Sequence, residues 1–398
     1  MVSATSGPRL RDVNRTAILA LVGRHGPISR ADIARRLGLS PPTVTAVTRS
    51  FIEAGVLHKV DDDASRGGRP GELLAVAGSA ASAIGVKVAA GHVTGVHADL
   101  DGTVLDTFSA PVDALKANPF DALAELLTPR IPQGDQPTFL GVGVGIPGFV
   151  DTGTGLVQAQ LLGWKRMPLA DYLSQLVGVP VLVDNDVNTL AAYEHLYGLG
   201  RPYEDFLTVT LGRGVGAAVF SGGDLRRGGH GAAGELGHLP VDPENGLPCH
   251  CGRRGCLETY LSDEALMKQA GTKTPEELKK RADQGDKEAQ QVYAEAGRRL
   301  GLAVAGLSVV LDPQAILVSG EGSRAWPHLA VGFEPAFTNG VFPGFADRIS
   351  VHVDPWDDAK WALGAAALVL RTPFTFNADP QADAVRSRLA AFSLEAGA

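Results

Sequence analysis

Long apolar stretches are missing from this 398-residue chain; the longest are short runs such as ALGAAALVL near the carboxyl end, far below the ~20 residues that span a bilayer. The first residues, MVSATSGPRLRDVNR, are polar and hold no apolar h-region, so no secretory leader is expected and the expected location is cytoplasmic. Cysteine is scarce as well. There are 3, an odd number that leaves no complete disulfide framework. Aromatic residues are 6% of the total against 49 glycines, a balance expected of tight α/β packing among small side chains. The hydrophobic share, 44%, is ordinary for a globular protein.

The chain is too long for one ordinary domain and points to two or three. Charge divides it unevenly. Residues 1–78 carry 11 Lys+Arg and 7 Asp+Glu, whereas the remainder carries 25 and 37. A basic head on an acidic body predicts that only the head approaches nucleic acid.

Residues 10–78 read as an α+β winged helix-turn-helix. Ile18, Leu19 and Val22 mark a first helix. Ser29, three residues before Asp32, is a plausible cap for a second helix with Ile33, Ala34 and Leu37 inward, and after a Gly38-Leu39-Ser40 turn a third helix starts at Pro41. In that third helix Val44, Val47 and Phe51 share a face, while Pro42, Thr43, Thr45, Ala46 and Arg49 occupy the other side. Small, polar and cationic side chains suit a major groove, methyls meeting thymine and Arg49 meeting guanine or phosphate. VLHKV and ELLAV then read as strands enclosing a wing with Arg66 and Arg69 at its tip. A protein-binding helical module is the competing reading of the same elements.

From Ser82 the pattern becomes α/β. Three strands broken at Gly91-His92 and Asp101-Gly102 read as a meander. A helix around Phe120–Leu127, a buried strand ending in Ile-Pro-Gly at Gly148, a helix Leu169–Val177 and a strand ending at Asp184-Asn185-Asp186 and running into a helix through Leu196 follow. FLTVTLGRGVGAAVF opens a second such unit, and the tail after Arg371 carries little periodic signal.

All three thiols fall in GELGHLPVDPENGLPCHCGRRGCLET, spaced C-x-C-x4-C as Cys249, Cys251 and Cys256, with His238 upstream. Three thiolates and an imidazole are the Cys3His set that tetrahedral Zn²⁺ takes in closed structural sites, and the intervening glycines allow the tight backbone this needs. His250 is a second candidate for the fourth ligand. Its place between two thiols is sterically awkward, so His238 is preferred.

E-x-G-H followed by C-x-C-G-x2-G-C-L-E resembles the signature of the ROK family, which joins sugar kinases to sugar-responsive transcriptional repressors. The resemblance implies a two-lobed, actin-like ATPase body with a sugar in the cleft, and a zinc held by His238, Cys249, Cys251 and Cys256. It also implies sugar contacts from Glu235 and Glu258, from Asn185, and from Asp186, which in the kinases is the general base. His238 and, more weakly, Gly148 complete the expected sugar contacts. ROK repressors carry a winged head with a GGRP wing, as here.

The kinase loops depart from the family pattern. Where the kinases have D-x-G-G-T this chain has Lys87-Val88-Ala89-Ala90-Gly91, and Arg213 stands inside the second glycine loop, Gly212 to Ala217. A third Gly-Gly turn has become Ser319-Gly320-Glu321. These changes oppose phosphate and Mg²⁺ binding. The expectation is a DNA-binding repressor of sugar-utilisation genes, not an enzyme, acting on a double-stranded operator as a homodimer or homotetramer, with an active ATP-dependent sugar kinase as the alternative. The expected domains are 1–78 (winged head), 79–197 (first lobe), 198–370 (second lobe with the zinc loop and dimerisation helices) and 371–398 (tail).

Overall fold

Ile18, Leu19 and Val22 recur at helical spacing in Leu10–His25 and are buried together. Ser29 caps the next helix, Arg30–Leu37, by accepting from Asp32 N, and Gly38 closes it at a φ of 65°. Ser40 caps Pro41–Glu53 by accepting from Thr43 N; such caps contribute about 1 kcal/mol each. Val44, Val47, Thr48 and Phe51 point into the core from this third helix. Strands Leu57–Val60 and Leu73–Val76 pair antiparallel, and Ile28–Ser29 adds a third short strand to the sheet. That strand is two residues long, too short to show any period in the sequence.

The computed structural model describes residues 10–60, 72–89, 91–111, 118–134, 138–375 and 382–388. The chain divides into two units, the first made of residues 1–148, 156–197 and 361–398 and the second of 149–155 and 198–360. In the first unit a five-stranded sheet runs in the order Val181–Asn185, Thr138–Ile146, Ala81–Val88, His92–Asp99, Val104–Pro111. The first three are parallel and the last three form the antiparallel meander read from the sequence.

Two expectations change here. The helix Asp358–Leu370, assigned from sequence to the end of the second lobe, lies from Trp361 onward on the first unit's sheet. Glycines make that approach possible: a Cβ at Gly143 would stand 1.8 Å from Ala365 O. The tail also has structure. Residues 382–388 are helical, Val385 is buried in the core shared with the winged head, and Arg388 Nε donates to Phe139 O at 2.8 Å. About two helical turns are too short to leave a legible period.

The second unit repeats the scheme. Its sheet runs Asp224–Leu225, Val215–Ser221, Phe206–Leu211, Ala315–Ser319, Ser350–Val353. Helices Lys287–Leu311 and Trp326–Gly340 pack closely together, a Cβ at Gly332 meeting Ala294 O at 1.8 Å. No described helix is long and apolar enough to cross a membrane.

Candidate metal centre and ligand-binding residues

One ligand atom from each of His238, Cys249, Cys251 and Cys256 lies within 4.8 Å of the other three. Cys251 Sγ stands 3.6 Å from Cys256 Sγ, and Cys249 Sγ stands 3.6 Å from His238 Nδ1. Tetrahedral bonds of about 2.3 Å would set sulfurs roughly 3.7 Å apart, so the cluster fits a zinc ion and is too open for a disulfide. Local backbone explains the convergence. Cys249 N donates to Arg253 O, Gly252 N returns to Cys249 O, and Arg253 Nη2 holds His238 O at 3.1 Å. Gly255 sits at a φ of 64° with Asp242 O only 1.7 Å from where a Cβ would be.

Ionisation is uneven among the sulfurs. Burial pushes the Cys256 thiol up to about 12; burial acts on Cys251 as well, but hydrogen bonds from Arg253 bring that thiol to about 7. Three crowded sulfurs cannot all ionise without a cation, which a divalent metal supplies.

Three of the residues expected to meet a sugar, Glu235, His238 and Glu258, lie beside this cluster. Glu258 Oε2 accepts from Val215 N at 3.1 Å, and its other oxygen lies 3.1 Å from His250 Nδ1. Glycine is needed beside it, since a Cβ at Gly214 would reach within 3.0 Å of Glu258 Oε2. His238 uses Nδ1 towards the thiol while Nε2 faces Glu235 Oε2 at 4.0 Å. Burial raises the Glu235 carboxyl above its usual range, His238 opposes the rise and Glu258 adds to it. The second unit thus brings Glu235, His238 and Glu258 into one polar patch, the carboxylates able to accept hydroxyl hydrogens and the His238 Nε2–H able to donate. His250 belongs to it through Glu258. The sequence offered His250 as a metal ligand, and a loop position gives no clue to which neighbour a side chain faces.

In the first unit Asn185 ends its strand and caps the helix Asp186–Leu196, its Oδ1 accepting from Val187 N and Asn188 N. Its Nδ2 donates to Gly148 O at 2.8 Å, so Asn185 and Gly148 are brought together directly. Asp186 accepts from Val187 N at 3.0 Å and remains half-buried. Lys87, which replaces the kinase carboxylate, stacks 4.0 Å from the Trp361 ring centre.

On the head, Pro42, Thr45, Ala46 and Arg49 are exposed along one side of Pro41–Glu53. Thr43 is half-buried, its hydroxyl 2.8 Å from the capping Ser40 Oγ. Arg66 and Arg69 lie outside the described residues.

A model of the ROK family matches residues 83–372, and a model of winged helix-turn-helix DNA-binding domains matches residues 11–57. The DNA-binding transcriptional dual regulator NagC of Escherichia coli is 31% identical over 385 residues, covering 91% of this chain and 93% of that protein. Among solved structures, a ROK family transcriptional regulator homologous to the Mlc protein of E. coli superposes with a TM-score of 0.77 at 25% identity, covering 97% of this chain and 99% of that one. A ROK family glucokinase from Streptomyces griseus, in complex with glucose and AMPPNP, gives a TM-score of 0.62 at 28% identity, covering 72% of this chain and 98% of its own. Regulators therefore match head and body together, whereas the kinase matches the body alone.

Proposed function

We propose, because the chain belongs to the ROK family, that it is a sequence-specific DNA-binding transcriptional repressor of sugar-utilisation genes, with operator affinity set by a sugar. The observation that carries this reading is the full-length match to regulators, winged head included. Pro42, Thr43, Thr45, Ala46 and Arg49 read the major groove and Arg66 and Arg69 the adjacent backbone. The expected assembly is a homodimer or homotetramer in the cytoplasm, placing two heads on a two-fold operator.

Zn²⁺ is the assigned metal, held by His238, Cys249, Cys251 and Cys256. When bound it neutralises the thiolates and fixes the loop that carries Glu258. Glu235 and Glu258 accept sugar hydroxyl hydrogens from the second unit, His238, bound to the metal through Nδ1, donates its Nε2–H, and Asn185, Asp186 and Gly148 are the first unit's contribution. Asn185 and Gly148 act through each other, since their hydrogen bond sets the shape of the loop after the strand.

Support for a regulator over a catalyst comes from the loops that should hold a nucleotide. Lys87 is engaged with Trp361 and supplies no metal-binding carboxylate. Arg213 is exposed at the glycine loop and Glu321 lies beside Gly212, its Oε2 3.6 Å from a Cβ built there. Negative charge at that point repels phosphate. The reading therefore assigns no catalytic residue, and Asp186 is a sugar ligand with no phosphoryl acceptor to activate.

The helix Asp186–Leu196 offers the path from sugar to DNA. It begins at Asn185-Asp186, and Tyr193, Leu196 and Tyr197 at its far end pack on the core that contains Ile18 and Val22 of the head. Sugar that binds one helix placement better than another would change the population of head placements.

Calorimetry of the full chain against a sugar panel tests the assignment. A sugar is expected to bind, and E235A and D186A are expected to lose both its heat and its effect on the operator. The alternative, an ATP-dependent sugar kinase with an added head, requires ADP release on the order of 1 s⁻¹ or faster in a coupled assay; none is expected.

A further inference from the structure

Within the second unit a cavity of about 390 Å³ opens beside the loop at Gly212, in the size range of small-molecule sites. Its wall is largely aliphatic, formed by Leu211, Leu261, Leu266, Leu278 and Leu329, with the buried Tyr293 ring among them. Three carboxylates line this space, Asp263, Glu276 and Glu321, and two of them stand beside Gly212. Asp263 N donates to Gly212 O at 2.8 Å, and a Cβ built on Gly212 would stand 3.6 Å from Glu321 Oε2. Neither carboxylate forms an ion pair or a hydrogen bond among the described residues.

Three cations share the lining, Arg213, Lys279 and Arg324. Lys279 Nζ is 2.7 Å from Asp283, the Arg324 guanidinium lies 5.0 Å from the centre of the Trp356 ring, and Arg213 is exposed. The carboxylates beside Gly212 are thus only partly compensated, by Arg213. Burial, then the charges of Glu321 and Glu276, raise the Asp263 carboxyl to about 6, and Arg213 offsets only part of this. A carboxylate raised by burial and like charge is stabilised by an incoming cation.

We propose that this cavity binds a small organic cation, an ammonium or amidinium head shared by Asp263 and Glu321 on an apolar body of ring size lying against the leucines and Tyr293. A triphosphate is excluded by the same charges. The inference goes beyond the sugar assignment and does not depend on it. An occupant would touch Gly212 and Arg213, and Val215, two residues further on, holds Glu258 through its N–H, so the site is placed to act as a second effector site.

Titration calorimetry on the full-length protein with tryptamine and with tryptophol, which exchanges the ammonium for a hydroxyl on the same ring, separates charge from shape. Tryptamine is expected to saturate one site per chain, with tryptophol weaker by about tenfold or more. D263N and E321Q are each expected to weaken tryptamine by about tenfold while melting no lower than the parent and still binding operator. Equal affinity for the two probes overturns the proposal, as does unchanged tryptamine binding in both variants. So does the failure of tryptamine, benzamidine and spermidine all to saturate, or displacement of tryptamine by MgATP. Sugar titrations on the same samples report on the repressor reading separately.

Discussion

Gly255 shows how a single residue fixes the metal loop. Its φ of 64° and the 1.7 Å gap to Asp242 O admit no side chain, so G255A is expected to cost about 2 kcal/mol or more and to lower zinc content. Thermal melting with metal analysis checks this; an unaltered melt at full zinc occupancy would contradict it. Removing one ligand acts on the same link between metal and fold. C249S, or chelation of the parent, is expected to lower the melting temperature and blunt the sugar response together. Ligand types at this scale were legible because sulfur and imidazole crowd into one stretch. The pairing of His250 with Glu258, and of Glu258 with Val215 N, was not, since loops impose no period from which direction can be read.

At the scale of elements, the recognition helix was legible from cap to cap because Ser40, Pro41 and the Val44, Val47, Phe51 face each follow local rules. R49A is expected to weaken operator binding by about 1–3 kcal/mol without changing the melt, as measured by fluorescence anisotropy. The helix Asp186–Leu196 was legible at both ends, from Asn185-Asp186 to Leu196. Its buried His195 is pushed down to about 3 by burial first and then by the charges of Arg371 and Arg24. The unfolded imidazole binds its proton near 6.5, so the unfolded chain takes up more protons between these values and stability falls as pH drops from 6.5 towards 3. H195N is expected to lose less stability than the parent between pH 7 and pH 5 in thermal melts, and parallel losses would contradict the assignment. The helix from Trp361 onward was assigned to the wrong unit because a uniformly apolar helix carries no sign of which sheet it covers.

For the whole molecule, composition and charge separated a basic head from an acidic body, and relatives that match the chain throughout carry both parts. The Streptomyces griseus glucokinase covers 72% of this chain, and under the proposed function Lys87, Arg213 and Glu321 replace phosphate-binding chemistry in the loops of this body. On the proposed repressor reading the body senses a sugar, and the signal passes to the head through the core they share in the first unit. The most direct measurement is the anisotropy of a labelled operator held by the full-length, zinc-loaded protein and titrated with a panel of sugars. The account predicts that at least one sugar shifts operator affinity by roughly 5- to 150-fold, the usual span of coupling between two sites, and that D186A and E235A abolish the shift. A panel in which sugars bind without moving the operator would contradict it.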